Sequence, residues 1–314
     1  MNFSFLTTCR WYSFLLTLLG VVFLLASCGP KIPPKVALPV SPEESRRVLK
    51  NVIDYVHSTE TLVSARGYAK VRLKAGRLKG RFDEAIVVDW GNDYSRPGRF
   101  RFEALDDFGN TRYLLLSDGV DFSWEDRVRR EYASQPFQVG NLKKFMPLPP
   151  PEGELSREDA WVKETLRFLT GVPRLFRYLE ATLPGQERQI EKIGEGRYRI
   201  GGAKGGNQGD SKVPEIIWDE GEHAIVSLAL KDEGGKLSFR YEAEGFSAPK
   251  KSLGGMSGEK SLLIPSRVYL KDYKTQNEIE IHYRDLEVAN QSVTSPELFY
   301  LSPLSNEKKL DEPN

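Results

Sequence analysis

The chain has 314 residues, with 45 Lys and Arg against 44 Asp and Glu, a net charge of +1. That balance lacks the basic excess of a nucleic-acid binder. The two cysteines are Cys9 and Cys28, so no disulfide, Cys-ligated metal site or Cys nucleophile can form beyond position 28. The fold must therefore be held by its hydrophobic core, which a chain of this length can supply.

The N-terminus reads as a secretory signal. Arg10 precedes an apolar run from Phe14 to Leu25, and small residues follow. The run is shorter than the roughly 20 apolar residues of a comfortable membrane span. Leu25-Ala26-Ser27-Cys28 resembles the bacterial lipobox at all four positions. The resemblance implies removal of residues 1–27, diacylglycerol on the Cys28 thiol and an acyl chain on the new amino terminus. Each buried methylene contributes about 0.8 kcal/mol, and two or more chains anchor stably. An uncleaved anchor helix, or a secretory cut to which Cys28 is incidental, are the alternatives. Residues 28–40 carry four prolines and read as a lipidated, extended tether.

A helix is predicted next. Ser41 suits the N-cap, Pro42 the first position and Glu44 a capping box. Val48, Leu49, Val52, Ile53 and Val56 share one face. From Leu62 the period becomes two: Ala65, Gly67, Ala69, Val71 and Leu73 alternate with Arg66, Tyr68, Lys70, Arg72 and Lys74. Further strands are predicted over 81–90, 99–105, 111–116, 120–124 and 128–132, separated by short Gly- and Asp-containing turns. Short turns between alternating strands mean an antiparallel meander, wet on one face. A Pro-rich linker over 147–156 leads to a second helix capped by Ser156. It carries Trp161, Val162, Thr165, Leu166 and Leu169 on one side and is broken by Gly171 and Pro173. A shorter helical piece through Leu175, Phe176 and Leu179 is expected after it. Strands resume at 189–193, 197–200, 214–218, 224–231, 236–243, 266–273 and 278–286, interrupted by glycine-rich stretches at 201–209 and 254–258. The domain closes near residue 304, and 305–314 read as a loose, charged tail. The fold class is thus mainly β (α+β), about a dozen antiparallel strands. No β-α-β repeat supports a doubly wound sheet.

Catalytic signatures are absent. His57, His223 and His282 have no zinc-site spacing. Ser257-Gly258-Glu259-Lys260 matches Ser-x-x-Lys without its partner motifs, and Gly201–Gly206 lacks phosphate-loop spacing. Asp83-Glu84 and Asp106-Asp107 are adjacent pairs, and adjacent strand residues face opposite ways. No enzyme activity, metal or cofactor is expected. What remains is a lipid-anchored sheet with an apolar face and helices to cover it, which can enclose an apolar cavity suited to acyl chains.

Arg96-Pro97-Gly98-Arg99-Phe100-Arg101-Phe102-Glu103, then Leu115-Leu116-Ser117-Asp118-Gly119, resemble the strand start and turn of the periplasmic lipoprotein carrier and outer-membrane lipoprotein receptor superfamily, LolA/LolB. Leu263-Ile264-Pro265, Ile279–Tyr283 and Leu298–Leu301 are similar to its ending. The resemblance spans residues 48–304. It implies an incomplete antiparallel β-barrel with helices as a lid over an apolar cavity that holds acyl chains of a lipoprotein in transit. Cys28 favours the receptor, which is itself a lipoprotein. By this resemblance Arg96 helps latch the lid. Phe108, in Asp106-Asp107-Phe108-Gly109, is the exposed apolar tip of a loop that delivers cargo, although Asp107 replaces the usual Pro. Trp90, Phe100 and Phe102 are the candidate contacts to lipid. The expected partners are the membrane, lipid or lipoprotein acyl chains and a periplasmic carrier protein, with the chain on the outer membrane facing the periplasm. The alternative is a structural lipoprotein that clamps a protein or polysaccharide partner.

Overall fold

The computed structural model describes residues 38–75, 78–91, 98–136, 158–175, 189–201, 214–232, 235–248, 252–253, 262–292, 295–300 and 308–309. Cys28, Arg96, Ser156 and the glycine-rich stretches 202–209 and 254–258 lie outside them. No helix of the described residues is long and apolar enough to cross a membrane.

Helix α1 (Pro42–Glu60) starts as the sequence requires. Ser41 is extended and its hydroxyl accepts the Glu44 N–H at 3.1 Å. Val48, Val52, Tyr55, Val56 and Thr59 form its buried stripe. Helix α2 (Glu158–Leu169) ends in the turn chemistry of a Schellman cap: Val172 N–H donates to Arg167 C=O and Gly171 N–H to Phe168 C=O, both at 3.1 Å. Gly171 has φ +73°, open to glycine at little cost. Pro173 follows with no N–H to continue the helix. Residues Val172–Leu175 are therefore not helical; beyond Leu175 the expected shorter piece, with Phe176 and Leu179, falls outside the described residues.

Among the described residues, one sheet of sixteen strands makes up most of the rest, with a short 3-10 helix at Pro296–Phe299. In chain order the strands are β1 (Leu38–Pro39), β2 (Ser64–Ala75), β3 (Leu78–Asp89), β4 (Arg99–Leu105), β5 (Thr111–Ser117), β6 (Asp121–Asp126), β7 (Glu131–Pro136), β8 (Gln189–Gly194), β9 (Arg197–Gly201), β10 (Glu215–Asp219), β11 (Ala224–Lys231), β12 (Leu237–Glu244), β13 (Ser252–Leu253), β14 (Arg267–Asp272), β15 (Asn277–Ala289) and β16 (Lys308–Lys309). Their order across the sheet is β1-β8-β9-β10-β11-β12-β14-β15-β2-β3-β4-β5-β6-β7-β16, with β13 added beside β15. Two meanders, β2–β7 and β8–β15, are joined at the long β15–β2 ladder. Among the described residues β1 and β16 do not pair with each other, so the barrel is incomplete.

Three details differ from the expected pattern. The two-residue strands β13 and β16 pair in parallel, with β15 and β7. Leu38–Pro39 and Lys308–Lys309, read as tether and tail, both join the sheet. Val128 begins no strand, because the Asp126 carboxylate accepts the N–H groups of Val128 and Arg129 and holds 127–130 in a turn, with Arg130 at φ +59°. Gly67 sits where β15 bulges between Tyr283 and Asp285; a Cβ there would lie 1.9 Å from the Asp285 carbonyl oxygen.

Register partners show which side chains share a face. Ile190, Ile200, Ile216, Leu228, Tyr241, Leu270 and Ile279 follow one another from β8 to β15. This concave face, with α1 and α2 laid on it, is the hydrophobic core. The other face carries ion pairs, such as Arg66–Glu287 at 2.7 Å and Arg267–Glu244 at 2.6 Å.

Candidate functional site

The concave face is not covered evenly. Over β9–β15 it is closed. Tyr55 of α1 meets Trp218 of β10 edge-on, ring centroids 5.8 Å apart. Phe168 of α2 does the same to Phe239 and Tyr241 of β12, at 5.5 and 5.3 Å. Helix α2 is enclosed from Val162 to Phe168, including Lys163, Glu164 and Arg167. The predicted one-sided helix is thus buried on its polar side as well.

Arg167 explains how a charge is accommodated there. Its guanidinium donates to the carbonyls of Thr59 (2.5 Å), Leu62 (3.1 Å) and Val172 (3.1 Å), and lies 5.0 Å from the centre of the Trp90 ring. The Trp90 indole N–H donates to the same Leu62 carbonyl at 2.7 Å. Burial lowers the Arg167 pKa, while Glu164 and Glu60 oppose that shift. The end of α1, the start of β2 and the end of α2 are clasped by this one side chain. Tyr283 of β15 adds a hydrogen bond to the Leu169 carbonyl. Charge–aromatic contacts of this kind are stronger away from water.

Over β3–β6 the same face is only partly covered. Phe82, Phe102, Leu115 and Trp124 pack against the core but keep accessible surface. Phe102, Leu115 and Trp124 are direct register partners on β4, β5 and β6, and Tyr113 stands exposed at the edge of this region. The patch also holds a carboxyl. Glu84 shares the inner face with Phe82 and Ile86, while its neighbour Asp83 points outward to Arg284 at 3.0 Å. Burial pushes the Glu84 pKa from 4.5 up to about 8. Glu84 keeps accessible surface on this face, among Phe82, Ile86 and the small side chains of Ala69 and Ala104.

The candidate residues from the sequence fall in three places. Trp90 and Phe100 are fully buried: Trp90 belongs to the Arg167 clasp, and Phe100 stacks on Phe102 at 5.2 Å and meets Phe122 at 6.4 Å. Neither offers surface to a ligand, because the strand ends that carry them lie under the core. Phe102 is on the partly accessible patch. Phe108 is 90% exposed at the tip of the β4–β5 turn. That turn is built on Asp106, whose Oδ1 accepts the N–H groups of Phe108 (2.9 Å) and Asn110 (2.8 Å) and whose carboxylate meets Arg112 Nε at 3.1 Å. These contacts, the Asn110 N–H foremost, lower the Asp106 pKa. The sequence marks Glu84 only as half of the adjacent pair Asp83-Glu84, and it does not mark Arg167. The signal for Glu84 was its parity with Ile86 and Val88 on a strand; Arg167 gave none.

Grooves elsewhere are of another kind. One of about 660 Å³ on the outer face is lined by Arg240, Glu242, Glu244, Arg267 and Glu280, which pair among themselves. Exposed pairs like these contribute little. Among the described residues no group of three His, Cys, Asp or Glu could hold a metal ion.

An open antiparallel sheet, filled by two helices over one half and partly accessible over the other, is the class of structure this chain forms. Solved structures to which it is similar include the following three. A putative outer membrane lipoprotein-sorting protein domain from Vibrio parahaemolyticus matches at 9% identity and TM-score 0.36, over 78% of this chain and 91% of that one. LolA superfamily protein NE2245 from Nitrosomonas europaea matches at 11% and 0.37, over 80% and 97%. LprF from Mycobacterium bovis matches at 12% and 0.31, over 82% and 97%. No family model and no curated protein matches the chain.

Proposed function

We propose that this chain is a bacterial envelope lipoprotein, tied to the outer membrane through lipid on Cys28 and facing the periplasm. It binds the acyl chains of a lipid or lipoprotein on the concave face of β3–β6 and passes them to the membrane without catalysis. A periplasmic carrier protein would supply the cargo. The observation that carries this reading is the set Phe82, Phe102, Leu115 and Trp124, apolar side chains that face inward yet keep accessible surface. Acyl chains suit such a surface, since burial of each methylene contributes about 0.8 kcal/mol and needs no directional partner. In this reading Phe108, exposed on a turn braced by Asp106, would meet the membrane.

The test is displacement of a fluorescent fatty-acid probe by the purified full chain. A probe signal that does not change removes acyl binding. Phe108→Glu is expected to leave thermal unfolding unchanged and to slow delivery of bound lipid to vesicles; an equal delivery rate removes the turn from the mechanism. The tight filling of β9–β15 by α1 and α2 favours a second reading, a clamp for a protein or polysaccharide partner. A copurifying partner and no lipid would select it.

A further inference from the structure

One row of register partners crosses the inner face as Tyr283–Ala69–Glu84–Ala104–Tyr113. The two methyl groups flanking Glu84 leave its carboxyl standing between low neighbours, and the larger Tyr283 and Tyr113 bound the gap two strands away on either side. Phe82 and Ile86 flank it along β3. Burial is the one cause of its raised pKa, and no hydrogen-bonding or ionic partner among the described residues offsets it. Polar groups inside proteins are nearly always hydrogen-bonded. A carboxyl set among apolar side chains, without a partner among the described residues, is therefore suited to a partner in a ligand.

Resting on the acyl-binding reading, we propose that the Glu84 niche is the polar subsite of this face: it takes the ester linkage of an acylated ligand, whose carbonyl oxygen accepts a hydrogen bond from the Glu84 carboxyl while the chain lies on Phe82, Phe102 and Trp124. A glutamate that titrates near 8 is mostly protonated at neutral pH and can donate. An acyl ester offers an acceptor and no charge, so entry into the niche avoids the desolvation of an ion. Other titratable groups that face the row are engaged. Tyr283 donates to the Leu169 carbonyl, and burial, together with the nearby Glu84 charge, holds its hydroxyl well above the ordinary tyrosine value. Asp126, the register partner of Tyr113, accepts the Val128 and Arg129 N–H groups. On α2, Arg167 is held by three carbonyls.

The experiment compares a long-chain fatty acid methyl ester with the n-alkane of equal length, each competing for the fluorescent probe on the full chain. Wild type should prefer the ester, and Glu84→Leu should lose roughly three- to tenfold in ester affinity with alkane affinity kept. Glu84→Gln, which still donates, should keep the ester preference. Raising the pH through about 8 should weaken ester binding to wild type and leave Glu84→Gln flat. Circular dichroism confirms that each variant is folded. An ester-to-alkane ratio equal in wild type and Glu84→Leu overturns the subsite while acyl binding stands. Failure of both ligands to bind wild type overturns acyl binding, and the subsite with it.

Discussion

The two halves of the concave face are built from the same kinds of residue and end in different states. On β9–β15, Tyr198, Trp218, Leu228, Phe239 and Leu270 are sealed by α1 and α2. On β3–β6, Phe82, Phe102, Leu115 and Trp124 point the same way and stay partly accessible. Composition does not separate them; helix placement does. Tyr55 and Phe168 cover β10 and β12, and the Arg167 clasp ties the end of α1 to α2. Among the described residues, an apolar strand face is thus a core where a helix lies on it and stays partly accessible where none does. The carboxyl of Glu84 falls on the partly accessible half, where burial still raises its pKa.

This contrast can be broken in order of expected effect. Phe239→Ala on the closed half should cost about 3–5 kcal/mol in urea unfolding, the usual range for truncating an enclosed aromatic. Phe102→Ala should cost clearly less, about 1–2 kcal/mol, because its environment is already partly open. Equal losses would mean that the two halves are packed alike. Arg167→Ala removes the donor from three carbonyls, two of them at the helix ends it joins. It should cost about 3 kcal/mol by the same measurement. A loss under about 1 kcal/mol would show that the clasp does not hold the helices.

Glu84 gives a pH signature. Its folded pKa of about 8 exceeds the ordinary 4.5, so between these values the folded state holds a proton that the unfolded state has released. Stability should therefore fall as pH rises through that window, by up to about 1.4 kcal/mol per pH unit, and level off above it. Glu84→Gln should remove this slope; an unchanged slope would place its origin elsewhere. The smallest effect belongs to the cap of α1, where Ser41→Ala should cost about 1 kcal/mol whichever half is open.

Local features were readable from the chain itself. The Ser41 cap, the stripe Val48, Val52 and Val56, the alternation from Ala65 to Leu73 and the stop at Gly171 each depend on neighbours within a few residues. The strand end at Asp126 was misplaced, because a carboxylate capping two N–H groups competes with β propensity and leaves only a weak mark in sequence. Trp90 and Phe100 looked like Phe102 by type, yet only Phe102 reaches the accessible patch.

The amino-acid order by itself determined the elements, their turns and the side of each strand that faces inward, since side-chain direction on a strand follows parity alone. Tertiary structure decided which stretch of that inward side is covered, because cover depends on where α1 and α2 come to rest, more than a hundred residues apart in the chain. It also made Arg167 a clasp and set the Glu84 carboxyl among apolar side chains. The energy of a charged group is set by the atoms around it in space, and those are contributed by distant strands and helices.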